Sequence, residues 1–272
     1  RRGVGLKAVA GLLGMAVILA AGGGCVPALR QAPALQDGID PASPSEAEAG
    51  YREALRLYAS REEDQVRRAG ELLRSGAGVL EDPIPALLVL AELRVWQVEH
   101  EPDPELREDL ATRAVHAGQW CLEVAPDSAA CRYRLAIAVG VQARERPGTG
   151  LDAMPTMLEL LQAARSEDPE LDRGGPDRVM ALVYLRAPGW PSGPGDADLG
   201  YEHAVAAAEI DPVHPPNQLV LGEALEALDR EKEAMAAFGE ARRLALGQQK
   251  SGGRDAREWL EQSQAALDRL GS

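Results

Sequence analysis

The side chains best suited to bind a metal or move a proton are His100, His116, His203 and His214, and their spacing permits neither. A helical zinc site needs a second histidine one turn on, and His100-Glu101 has none. There is no Gly-rich phosphate loop and no Gly-x-Ser-x-Gly elbow, so neither catalysis nor a cofactor nor a metal has candidate residues. The chain reads as a non-enzyme. Three other groups remain. Cys121 and Cys131 lie five residues to either side of Pro126, where a turn between antiparallel helices would bring them together. They suit either a disulfide in an oxidising compartment or two small buried residues. Arg178 and Arg186 can pair a carboxylate, or can bond local acids such as Asp177. Trp96 and Tyr133 offer apolar surface to an extended peptide or a small apolar ligand.

These residues sit in a chain of 272 residues, long enough for one large or two small domains. Ala, Leu, Glu and Arg dominate while aromatic residues reach only 4%. Strong helix formers with few sheet formers exclude an all-β protein. The net charge of −14 becomes −17 once Arg1, Arg2 and Lys7 are set aside. A body so anionic repels phosphate backbones and anionic lipid heads, which argues against nucleic acid as a partner and against peripheral membrane binding.

A repeat organises the body. Leu221-Gly222, Leu225, Ala234, Phe238 and Ala241 resemble the tetratricopeptide (TPR) pattern, in which small residues mark the close crossing of two helices. The same frame places Ala114, Gly118 and Cys121 before Pro126, Leu135 and Val139 after it, Met157, Leu161 and Ala164 before Pro169, and Gly200, Ala204 and Ala207 before Pro212. The expected fold is an all-α, TPR-like solenoid of about five helix pairs, at 45–80, 83–124, 127–168, 176–211 and 215–246, closed by a capping helix over 254–270. Projected on that frame, Trp96, Tyr133, Ile137, Arg178, Leu182 and Arg186 line a concave wall that would take a partner or ligand, unless they only fill a tight superhelix. Trp190, in a swollen loop from Ala187 to Asp196, is either a plug or an exposed contact.

The N-terminus has its own logic. A basic start and an uncharged run from Ala8 to Gly24 have the parts of an export signal, assigned to 1–24. The segment Leu19-Ala20-Ala21-Gly22-Gly23-Gly24-Cys25 resembles the lipobox of bacterial lipoproteins, although Gly22 stands where a branched residue is usual. Lipidation of Cys25 would supply the only membrane contact, and Val26 after it favours an outer membrane lipoprotein facing the periplasm; a soluble periplasmic or secreted protein is the alternative. Residues 25–45 carry four prolines and no helical period, as a tether would, and the helical body is expected over 46–272.

With these features, the stretch Gly175-Pro176-Asp177-Arg178, then Tyr184-Leu185-Arg186-Ala187-Pro188 and Gly195-Asp196, resembles the TatT-type lipoproteins, the T components of TRAP transporters. The likeness covers about half the chain. It implies an envelope adaptor or a ligand-handling module that works beside a substrate-binding protein, in the second case a periplasmic carrier of an apolar organic acid for a TRAP-type transporter. The repeat by itself implies a lipid-anchored adaptor that binds an envelope protein or an extended peptide.

Overall fold

A computed structural model describes residues 29, 31–35, 37, 43–189, 191–250 and 255–271. The export segment, Cys25, Trp190 and residue 254 lie outside the described residues. The fold is all-α: eleven α-helices, with no strand among the described residues beyond one isolated bridge between Gly189 and Gly195. In chain order they are α1 (Pro44–Ser60), α2 (Glu63–Gly76), α3 (Ile84–His100), α4 (Pro104–Val124), α5 (Ala129–Glu145), α6 (Gly150–Glu167), α7 (Gly175–Arg186), α8 (Ala197–Ile210), α9 (Pro215–Ala227), α10 (Glu231–Lys250) and α11 (Ala256–Leu270). The seams fall at the prolines, because a proline fits the first turn of a helix, where no N–H is needed, and cannot extend the helix before it. Side chains close several starts. Ser43 and Glu46 form a reciprocal capping box, and Asp103, Ser128 and Asp196 each accept a first-turn backbone N–H.

The described residues form two compact units, one ending at Leu160 and one beginning at Leu161. In the first, α1 packs on α2, α2 on α3, α3 on α4 and α4 on α5, while α3 also meets α5. In the second, α7 packs on α8, α8 on α9, α9 on α10 and α10 on α11, while α7 also meets α9. Each unit is thus a stepwise stack of hairpins in which the first helices of successive pairs touch.

Small residues set these approaches. A Cβ on Gly222 of α9 would come within 2.5 Å of the Phe238 ring on α10. On Gly118 of α4 it would meet the Leu135 backbone of α5 at 2.9 Å, and on Gly200 of α8 the Leu185 side chain of α7 at 2.7 Å. Ala234 and Ala241 are buried beside Phe238. The capping helix presents Ala256, Trp259, Ser263 and Ala266 to the stack, as its apolar stripe requires.

Two expectations meet particulars here. Cys121 and Cys131 are bonded as a disulfide, both fully buried, and the bond ties α4 to α5 across the Pro126 turn. The stretch expected to be a spacer is partly seated on the body. Trp120 Nε1 donates to the Pro33 carbonyl at 2.8 Å, Arg74 donates to the Asp37 carbonyl, and Ala32 and Leu35 pack against the core of the first unit. Two apolar side chains and a free carbonyl are enough to hold a segment that has no helical period, and the helix itself starts at Pro44.

Gly222→Val should lower unfolding stability by about 1–3 kcal/mol or more through overpacking against Phe238. Gly239→Ala, with nothing within 4 Å of its new Cβ, should raise it by about 0.5–1 kcal/mol. Urea unfolding of both variants tests the contrast. Reduction of Cys121–Cys131 should cost about 3 kcal/mol for so short a loop, read as a fall in the urea midpoint on adding a reductant that is absent in a Cys121→Ala/Cys131→Ala double variant.

Candidate functional site

The wall expected on the first helices is largely interior. Tyr133, Ile137, Arg178 and Leu182 are all at most 2% exposed. The reason is the packing of α3 on α5 and of α7 on α9: positions that would face an opening lie between neighbouring first helices instead. Trp96 and Arg186 are half-buried and remain at the surface.

In the first unit, Trp96 stacks on His100 with ring centroids 3.9 Å apart. Tyr133 lies near the Arg134 guanidinium, which donates to Glu92 at 2.8 Å. The other Glu92 oxygen accepts from the Tyr58 hydroxyl at 3.1 Å. Burial first, and then the Glu92 carboxylate, push the Tyr58 phenol well above its ordinary range, so it stays a neutral donor.

In the second unit, Arg178 is a structural cation. The turn before α7 holds Asp172, Arg173 and Gly174 in the left-handed region, with φ of 48°, 61° and 83°. Two of the three are not glycine, so this turn needs support. Arg178 provides it, donating to the Asp172 carboxylate at 2.8 Å, the Asp172 carbonyl at 3.3 Å and Asn217 Oδ1 at 2.8 Å. The Asn217 amide donates in turn to the carbonyls of Arg173, Ala207 and Asp211 at 3.0, 2.7 and 3.0 Å. This knot joins α7, the end of α8 and α9, and of the two readings of Arg178 it is the bond to a local acid, Asp172 in place of Asp177, that the structure has. Arg186 makes a bidentate pair with Glu223 of α9. Asp177, the acid considered as a local partner for the arginines, takes Arg165 at 2.9 Å and His203 at 2.7 Å. Tyr184 stacks on His203.

His214, at the start of α9, is buried with no hydrogen-bond partner for either ring nitrogen among the described residues, and meets Trp259 of α11 edge to face at 5.7 Å. Desolvation first, then Arg178 and Arg173, push its pKa down to about 2.

Two cavities open on these elements. One, of about 400 Å³, is bordered by Arg165, Asp177, Glu209 and Ile210 in the second unit. The other, of about 310 Å³, lies among α2, α3 and α4 and reaches Arg94. Arg94 was not singled out by repeat or motif reasoning. Its signal is a lone guanidinium between Leu93 and Val95 in the apolar run of α3, opposite Gly70 of α2, where an added Cβ would come within 2.9 Å of Nη1. No metal-binding cluster occurs among the described residues, and no helix there is long and apolar enough to cross a membrane.

No family model matches the chain, and no curated protein matches it.

His214 makes stability pH-dependent. Its folded pKa lies below the ordinary 6.5, so the stability it permits is full above pH 6.5 and is lost as pH falls toward the folded value. Between pH 6.5 and 5 the loss should be about 2 kcal/mol. His214→Gln should remove that slope, read by urea unfolding of both proteins at the two pH values.

Proposed function

We propose that this protein is a non-catalytic, lipid-anchored TPR adaptor of the bacterial envelope, which binds a protein partner through the accessible part of its first-helix face. The observation that carries this reading is the stepwise stacking of hairpins on small-residue contacts, a construction that offers a large surface without a reaction centre. Arg178, Arg186, Asp177 and His203, the groups with most chemical capacity on α7 and α8, are taken up in bonds to Asp172, Glu223, Arg165 and each other rather than converging on an open point. What stays accessible on that face in the first unit is mixed: the half-buried Trp96 ring, stacked on the exposed His100 and followed by Glu101. A partner segment with one apolar anchor and flanking charge complements it. The Cys121–Cys131 bond supports an oxidising compartment, and Cys25 supplies the anchor. A TatT-like carrier of an apolar organic acid is the second reading, now without Arg178 as a carboxylate partner.

Metabolic labelling with an alkyne fatty acid should mark the wild-type chain and not Cys25→Ser; an unlabelled wild type overturns the anchor. A photo-crosslinking residue at Trp96 should give one discrete adduct in cells that is missing when the same residue replaces Met235, an exposed position on α10. Equal adducts from both positions would remove the first-helix face from the proposal.

A further inference from the structure

The cavity among α2, α3 and α4 contains a charge imbalance that the fold does not require. Arg94 is 7% exposed, and among the described residues its side chain hydrogen-bonds only to Gln97 Oε1, at 2.7 Å. No carboxylate lies within ion-pair distance of it among the described residues. Desolvation first, and then Arg113, pull its pKa down to about 10, which still leaves it charged at neutral pH. A buried cation without a counter-ion is costly, and a hydrocarbon side chain at this position would be the cheaper core residue. Gly70 leaves the room in which the guanidinium lies.

The mouth carries the opposite sign. Arg113 is paired with Asp109 at 2.7 Å, and Arg67 with Asp64. Glu63 and Glu71 border the cavity with no ion pair among the described residues. A buried guanidinium without a direct ion pair therefore sits at the floor, and exposed carboxylates without one sit at the rim, with Glu71 and Asp109 near enough to favour the Arg94 charge without contacting it. Beside them lie the stacked Trp96 and His100 rings and the apolar Leu106 and Leu110. A simple anion would be repelled by the rim, and a simple cation by the floor. A zwitterion satisfies both.

We propose that this cavity binds a free amino acid with an apolar or aromatic side chain, its carboxylate on Arg94, its ammonium toward Glu71, and its side chain against Trp96, Leu106 and Leu110. The volume of about 310 Å³ is at the small end for ligand sites and suits one such molecule. The bidentate fork of arginine matches a carboxylate, and Gln97 has its amide N–H groups left to donate. The site shares Trp96 with the adaptor face, but its test reads Arg94 and Glu71, which that face does not use, so either proposal can fail alone.

Calorimetric titration of the full chain tests it, with L-phenylalanine and L-leucine as probes, and with 3-phenylpropionate, which lacks the ammonium, and phenethylamine, which lacks the carboxylate. L-phenylalanine or L-leucine should bind, and each singly charged analogue should bind about tenfold more weakly or worse. Arg94→Met should weaken the amino acid by a similar factor or abolish binding, with unchanged helical circular dichroism. Glu71→Gln, at an exposed position, should weaken L-phenylalanine severalfold while leaving or improving 3-phenylpropionate. The proposal is overturned if neither amino acid binds at millimolar concentration, if 3-phenylpropionate binds as tightly as L-phenylalanine, or if Glu71→Gln is silent toward both.

Discussion

The close approach of helices at positions without a side chain is the constraint on which the rest depends. Gly222 against Phe238, Gly118 against the Leu135 backbone and Gly200 against Leu185 leave no room for even one methyl group. Helix pairs that meet this closely exclude water along the crossing and gain dispersion contacts over their whole length. Replacing these glycines with alanine would favour an isolated helix, since glycine is the poorer helix former. The chain gives up local propensity for fit between hairpins, and the alternation of crossing and seam repeats the unit.

Much of this was legible in the sequence. Proline seams and small residues at fixed offsets located the helices to within a few residues, because each is a local signal with a local physical cause. The symmetrical placement of Cys121 and Cys131 about Pro126 anticipated a bond as one of two outcomes, and the structure has it. The resemblance to TPR and TatT-type proteins rests on the same local residues and remains a reading of them.

The contents of the expected wall were not legible, and the reason is non-local. A repeat frame says which positions of α5 and α7 point away from their own hairpin partner. It does not say whether the next first helix closes over them, as α3 and α9 do. Arg178 shows the difference. Its role is set by carbonyls of a left-handed turn just before it and by Asn217, 39 residues later. Arg94 shows the converse: nothing in its own helix marks it as more than a break in an apolar run, and only Gly70, on another helix, reveals that space was kept for it.

The seated N-terminal segment carries one mechanical consequence. Pro33 is held by the indole of Trp120, and the next residue, Cys121, is covalently joined to Cys131. Tension applied to the chain upstream of Pro33 first loads the Pro33–Trp120 contact and the packing of Ala32 and Leu35. Whatever passes through that contact arrives beside the cross-link and is shared between α4 and α5, so pulling strains two neighbouring helices in parallel instead of unzipping the first helix alone.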